Sequence, residues 1–166
     1  NLFSTSSVQA VQGWDESLQS SQEYDLMFRL WHSERDFSVD ILPRALIRER
    51  SSGQISHRNP REKWVQLIEL RLQMLTAFTT KNSIDSLHLQ KCYQYLFDCL
   101  RTLAKYDLHT AIKYHDAHLK SINFNAKPNE TSSAAYCIIY NLVGFNTAER
   151  IKKMSAKIHS IVPATK

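Results

Sequence analysis

The chain has 166 residues, enough for one domain with a substantial core, and its 43% hydrophobic and 22% charged residues are ordinary for a globular protein. Three glycines and four prolines are too few for a turn-rich sandwich or barrel, and they favour long helices. No run of about 18 apolar residues occurs, so no membrane span is predicted. Because position 1 is Asn rather than Met, we expect a segment of a longer protein.

The net charge of +5 is unevenly distributed. Residues 1–60 hold six Lys/Arg and eight Asp/Glu, whereas residues 61–166 hold 15 and eight. A basic half of this kind suits RNA, an acidic protein or an anionic surface. RNA binding is therefore one hypothesis, and its candidate residues are Arg150, Lys152, Lys153 and Lys157.

The hypothesis of RNA binding has a second support in α-helical stretches where aromatic and basic residues alternate. Bases stack on exposed aromatic rings while cations bind the phosphates. The residues concerned are Tyr95, Tyr106 and Tyr114 with Lys91, Arg101, Lys105 and Lys113. The other interpretation of the same residues is an ordinary helix surface.

The three cysteines, Cys92, Cys99 and Cys137, indicate a reducing compartment. Cys92 and Cys99 lie two helical turns apart, about 10 Å along the axis, which is too far for a disulfide. We therefore expect buried thiols and a cytoplasmic or nuclear location.

Residues 1–58 are expected to form an arm and a first helical region. Ser and Gln dominate residues 1–22, which predicts a flexible arm. Helical periodicity begins at Glu23, breaks near Asp36 and resumes over residues 41–50. The Ser-Ser-Gly stretch that follows predicts a linker, so that residues 23–58 make N-terminal helices and linker.

Residues 59–163 are expected to form the core helical bundle. Asn59-Pro60 predicts a helix start, with Asn as the cap and Pro at the first helical position. Two amphipathic helices follow within residues 85–122, and Asp107 is the predicted cap between them. Their apolar stripes, which need a cover of other helices, are Leu89, Cys92, Tyr93, Leu96, Leu100 and Leu103, and then Leu108, Ala111, Ile112, His115, Leu119 and Ile122.

The last predicted elements are an apolar segment and a basic helix. Residues 134–143 suit either a helix or a buried strand, and the lack of a partner strand favours a helix. Gly144 is predicted to end it, and the basic helix runs on to a stop at Pro163. The whole pattern predicts an all-α fold, a single bundle of five to six helices.

No catalytic, metal or cofactor site is predicted from the motifs. Three isolated glycines cannot form a phosphate-binding loop, and no two cysteines have zinc-finger spacing. His115 and His118 are spaced for a shared metal on one helix face, but no second Glu-x-x-His motif accompanies them. We expect His115 to be a core histidine bonded through one nitrogen, and the chain not to be an enzyme.

The corner between the two central helices has a distinctive set of residues, Lys105 before it and Leu108, Ala111 and His115 after it, with Leu72 and Leu75 as an upstream pair. In these positions residues 64–154 resemble the helical domain family shared by the steroid receptor RNA activator protein and the C-terminus of the outer COPII coat subunit. Leu108 stands where that family has an aromatic residue. The resemblance implies a non-catalytic subunit of a larger eukaryotic assembly.

Residues 30–35, followed by Ile41-Leu42-Pro43, are similar to the opening of helical subunits of the GINS replication complex. This resemblance also implies a subunit of an assembly.

The leading hypothesis is accordingly a scaffold or adaptor domain that binds protein partners in a multi-subunit complex. Residues 1–60 carry more large apolar side chains than a short arm needs, and aromatic and Arg side chains dominate interface energetics. The predicted partner-binding residues are Phe28, Trp31, Phe37, Arg44 and Arg48.

Overall fold

The computed structural model describes residues 3–33 and 59–161, with side chains as far as Ser155. Within these ranges the chain is all-α, with six helices and no strand, which confirms the predicted fold class. The helices are α1 (Thr5–Ala10), α2 (Gln22–His32), α3 (Pro60–Thr80), α4 (Ser86–Leu103), α5 (Leu108–His118) and α6 (Ala134–Ile161).

The helices are divided between two compact units, Asn1–Ser83 and Ile84–Lys166. In the first unit, α2 packs against both α1 and α3. In the second, α5 packs against both α4 and α6. The sequence placed domain boundaries after residues 22 and 58, and those boundaries stay predictions. The stretch predicted as an arm contains the short helix α1.

Unit 1 is built on a four-residue repeat in α2. Leu26 and Leu30 are buried one turn apart, and α3 contributes Ile68 and Leu75 to the buried set. Helix α3 starts at Pro60 as predicted, because proline's fixed φ suits the first helical position. Asn59 precedes the helix in the left-handed region, but its side chain makes no capping hydrogen bond, so its predicted role as a side-chain cap is wrong.

Unit 2 is built on the stripe predicted for α4. Leu96, Leu100 and Leu103 have no exposed surface, and Phe97 is equally buried. Full burial of each such side chain stabilises the fold by roughly 1.5–3 kcal/mol. The predicted cap at Asp107 is confirmed, since its Oδ1 accepts from the backbone N–H of Thr110 at 3.0 Å.

Helix α5 ends earlier than its stripe predicted. The backbone N–H groups of Leu119 and Lys120 both donate to the carbonyl of His115, which closes the helix, and Asn123 then turns the chain with a positive φ of 48°. Ile122 consequently lies in the turn and is 43% exposed, so its predicted place on the buried stripe is wrong.

Helix α6 is interrupted where the sequence placed its end. Gly144 has φ 77° and ψ 172°, a conformation that only glycine adopts readily, and it divides the helix into two segments. The first segment confirms the choice of helix over strand for residues 134–143. On it, Tyr136, Cys137 and Tyr140 are buried against unit 2.

Candidate docking groove

Unit 1 contains an open groove whose two long walls are α2 and α3. Gln19, just before α2, donates its backbone N–H to Oε1 of Gln66 at 3.1 Å. At the other end, Nζ of Lys81 donates to the carbonyl of His32 at 3.2 Å. The two helices therefore run side by side in the same direction, and the groove lies between them.

The groove encloses about 930 Å³. Its lining comes in pairs at four-residue spacing, which places each pair on one face of its helix. The lining residues are Phe28, Arg29 and His32 on α2 with Ser33 directly after it, Leu72, Gln73, Thr76, Ala77 and Thr80 on α3 with Lys81 directly after it, and Ala10, Val11 and Gln12 at the end of α1. The α3 wall, from Leu72 to Thr80, spans eight residue steps, about 12 Å.

Arg29 fixes the end wall of the groove. Its Nη2 donates to Oδ2 of Asp25 at 2.7 Å and to the carbonyl of Gly13 at 2.8 Å, and its Nη1 donates to the carbonyl of Val11. One guanidinium thus ties the turn after α1 to the side of α2. Because Asp25 is buried beside it, the positive charge of Arg29 is compensated within the fold.

An aromatic cluster holds the far end of the groove. The rings of Phe28 and Trp31 lie 6.0 Å apart at an interplanar angle of 24°, and Trp31 meets Phe78 of α3 edge to face at 4.9 Å. Nζ of Lys81 lies 5.4 Å from the centre of the Trp31 ring. Edge-to-face and cation–π contacts of this kind stabilise by about 0.5–1.5 kcal/mol each.

Of the two predicted partner-binding residues that the structure describes, one lines the groove and the other does not. Phe28 lines the groove, whereas Trp31 is half-buried in the aromatic cluster behind it. Phe37, Arg44 and Arg48 lie outside the described residues. Sequence reasoning missed the α3 wall, because Gln73, Thr76 and Thr80 look like solvent-facing polar positions.

Unit 2 contains a buried polar network that the sequence did not predict. Arg101, which the sequence placed among exposed cations, is 3% exposed, and its partner Glu149 is 2% exposed. Nε of Arg101 donates to Oε1 of Glu149 at 3.2 Å, and the hydroxyl of Tyr136 donates to the same oxygen at 2.7 Å. Burial and the Glu149 carboxylate raise the pKa of the Tyr136 hydroxyl.

The same guanidinium holds the loop before α6. Nη1 of Arg101 donates to the carbonyl of Thr131 at 2.7 Å and to Oγ of Ser132 at 2.6 Å. Its central carbon lies 3.5 Å from the centre of the Tyr136 ring. Arg101 and Glu149 are both buried, so the network joins α4, the loop and α6 from the interior.

His115 lies in a second buried cluster. Its ring stacks on Phe145 at 4.7 Å and 7°, Nδ1 lies 3.1 Å from Oδ1 of Asp116, and Nε2 lies 3.0 Å from the Tyr140 hydroxyl. Burial lowers the pKa of the imidazole, and the Asp116 carboxylate opposes that shift. The expectation of a core histidine is met, but both ring nitrogens have partners rather than one.

The Tyr140 hydroxyl has a second partner, since it donates to the carbonyl of Phe124 at 3.2 Å. Its single proton serves either that carbonyl or Nε2 of His115, and the imidazole tautomer differs accordingly. Burial raises the pKa of Tyr140 to about 12, which keeps that hydroxyl protonated at neutral pH. A cavity of about 350 Å³ lies beside the ring, with Asn123, Asn125 and Asn141 in its lining.

The first segment of α6 also carries an exposed apolar strip on the face opposite its buried side. Leu142 is 78% exposed and Ile138 is 61% exposed, and Ala135 is exposed one turn earlier. These three residues lie at positions i, i+3 and i+7 of one helix face.

The cations predicted for RNA binding are unequal in exposure. Lys153 and Arg150 are exposed, and Nε of Arg150 donates to Oδ1 of Asn146 at 2.8 Å. Lys152 is half-buried 5.8 Å from the Tyr136 ring, and burial lowers the pKa of its ammonium. The side chain of Lys157 lies outside the described residues.

Among the described residues, no group of three or more His, Cys, Asp or Glu side chains is placed to hold a metal ion. In the same part of the chain, no helix combines the length and the apolar character needed to cross a membrane. No protein-family model, curated protein or solved structure matches the chain.

Proposed function

We propose that this chain is a non-catalytic helical module that binds a protein partner, and that the groove of unit 1 receives a helix of that partner. The observation that carries the proposal is the arrangement of the lining in two parallel helix faces. Recognition of an amphipathic helix uses a groove of this form, filled by anchors at i, i+3 or i+4, and i+7.

The composition of the groove supports the same function. Apolar side chains, among them Phe28, Leu72 and Ala77, alternate with uncharged polar ones such as Gln73 and Thr76. An apolar floor supplies the burial that drives association, and polar groups at the margin can satisfy a partner's backbone and side chains. A subunit of a larger assembly would use such a surface.

Two threonines one turn apart provide a matched test. Thr76 lines the groove and Thr79 does not, yet both are exposed and both donate to the carbonyl four residues earlier. We expect Thr76→Lys to lose the proteins that the wild-type chain retains from a cell extract, and Thr79→Lys to keep them. Recovery of the same proteins by both variants would remove the groove as the docking surface.

RNA binding through the basic half is the alternative proposal, and exposed Lys153 and Arg150 are its support. Phosphate contacts release counterions, so affinity for RNA falls steeply as salt rises. A titration of the chain with single-stranded RNA at about 50 mM salt tests this alternative, with Lys153→Glu as the comparison. Under the docking proposal we expect no RNA binding at that salt concentration.

A further inference from the structure

We propose that the contacts around His115 form a proton switch in unit 2. When the imidazole takes up a proton, the hydroxyl of Tyr140 is committed to the backbone carbonyl of Phe124. The switch links the protonation of a buried side chain to the loop between α5 and α6. It does not depend on the groove of unit 1, so it stands or fails apart from the proposed function.

Three contacts in a row lead from the exposed Asp116 carboxylate to that loop, and together they are called the His115 relay. Oδ1 of Asp116 lies 3.1 Å from Nδ1 of His115, and Nε2 of the same ring lies 3.0 Å from the Tyr140 hydroxyl. That hydroxyl lies 3.2 Å from the carbonyl oxygen of Phe124. Each contact is a hydrogen bond only when a proton lies between its two atoms, so the complete relay needs three protons.

With a neutral imidazole the relay is one proton short. An ionised carboxylate supplies no proton, the neutral ring supplies one, and the Tyr140 hydroxyl supplies one. With the ring proton at Nδ1, the hydroxyl donates to Nε2 and is lost to Phe124; with the ring proton at Nε2, the carboxylate of Asp116 faces a bare Nδ1. Hydrogen bonds to charged acceptors are the stronger ones, so the first arrangement is favoured.

The imidazolium form completes the relay. Its two N–H groups donate to Asp116 and to the Tyr140 oxygen at the same time, which leaves the carbonyl of Phe124 as the acceptor for the hydroxyl proton. The charged ring also lies over the face of Phe145, 4.7 Å between ring centres, and aromatic faces attract cations. The cavity beside the ring is lined in part by His115, Phe124 and Tyr140, which gives a solvent proton access to the relay.

The charges around the ring set the pH at which the switch works. Burial is the main effect and lowers the pKa of His115; the Asp116 carboxylate opposes that shift, and Lys120, in the turn after α5, adds to it. Helix α6 contributes the Tyr140 hydroxyl, whose pKa burial raises to about 12, and α4 contributes the uncharged ring of Phe97, 4.6 Å from that of Tyr140. The imidazole should therefore take up its proton below about pH 6.5.

Nuclear magnetic resonance on the full, isotope-labelled chain tests the switch between pH 8 and 5. The carbonyl carbon shift of Phe124 should change with the same midpoint as the ring of His115. Tyr140→Phe removes the hydroxyl, so the ring should still titrate while the Phe124 shift no longer follows it. Tyr106→Phe, at an exposed position, is the matched control and should keep the coupling.

Asp116→Asn, a change at an exposed position, should set the switch permanently. The amide of the new side chain can donate to Nδ1 of His115, so a neutral ring carries its proton at Nε2 and the relay is complete without an imidazolium. The carbonyl shift of Phe124 should then be independent of pH and equal to the value that the wild type reaches in acid.

A Phe124 carbonyl shift that stays constant while His115 titrates would overturn the switch. The same holds for a shift that follows His115 equally well in Tyr140→Phe, because the hydroxyl would then carry no signal. Asp116→Asn with the pH dependence of the wild type would also contradict it, since the amide should supply the missing proton. None of these results bears on the groove, which the capture of proteins by Thr76→Lys and Thr79→Lys tests separately.

Discussion

The guanidinium of Arg101 and the carboxylate of Glu149 form a buried ion pair, 3.2 Å from Nε to Oε1, across 48 positions of the chain. The pair fixes the direction of α6 after Gly144, because Glu149 must face α4 to reach its partner. Its contribution is better described as orientation than as net stabilisation, since burying two charges costs about as much as their attraction returns.

Removal of one partner should therefore be costly. Arg101→Met leaves the Glu149 carboxylate buried without a cation, and we expect a loss of about 3–5 kcal/mol in the free energy of unfolding. Urea denaturation followed by circular dichroism measures it. Arg150 follows Glu149 in the sequence and is exposed, so Arg150→Met is the control and should change stability by less than about 0.5 kcal/mol. A loss below about 1 kcal/mol for Arg101→Met would contradict the buried pairing.

Truncation of a side chain at the centre of the α4 stripe should cause a large loss of stability. Leu96 has no exposed surface, so Leu96→Ala should destabilise unit 2 by about 2–5 kcal/mol through lost burial and a new cavity. Leu87, 57% exposed at the start of the same helix, is the matched control, and Leu87→Ala should be close to neutral. Equal effects of the two changes would place Leu96 outside the core.

His115 should make stability depend on pH. Burial lowers the pKa of the imidazole below its unfolded value near 6.5, so the unfolded chain binds more protons just below that pH. Stability is then fully present above about pH 6.5 and decreases as the pH falls below it. Denaturation between pH 5 and 8 should show this slope, and His115→Gln should remove it. The exposed His109→Gln should retain it.

Gly144 should resist substitution although space for a side chain exists. A Cβ at this position would meet no atom within 4 Å, but φ 77° with ψ 172° is strained for any L-residue. Gly144→Ala should cost about 1–3 kcal/mol in thermal or urea unfolding. Val143→Ala, at the adjacent exposed position, should cost much less. A neutral Gly144→Ala would mean that the backbone rotates out of this conformation.

Periodicity and capping chemistry were sufficient to predict α2 to α6, but not the short helix α1. The α4 stripe, the cap at Asp107, the start at Pro60 and the break at Gly144 all follow from local rules that act within a few residues. The prediction for Ile122 was wrong because the apolar spacing of the sequence continues after the backbone has left the helix. Nothing in the spacing of Leu119 and Ile122 reports that turn.

The buried network and the groove could not be predicted in the same way, because both depend on contacts between residues that are distant in sequence. Arg101 follows Phe97 by one turn, so it sits on the inner face of α4, and that position was the available signal for a buried cation. Its acceptor, however, lies 48 residues away. The groove needed α2 and α3 to run in parallel and Arg29 to bind backbone carbonyls of another segment, which side-chain patterns do not encode. Phe28 was predicted as a docking residue from composition, and that role stays a prediction.

The hydrogen bonds from Arg101 to the loop before α6 affect how fast the amide hydrogens of that loop exchange with solvent. Polar loops usually exchange their amide hydrogens with solvent within local fluctuations. Here the amides of Thr131 and Ser132 donate to Oδ1 of Asn129, while Arg101 binds Thr131's carbonyl from the interior. The amide of Ser132, a residue with no exposed surface, should consequently exchange only when α4 and α6 separate, so that one amide of a surface loop reports the unfolding of unit 2.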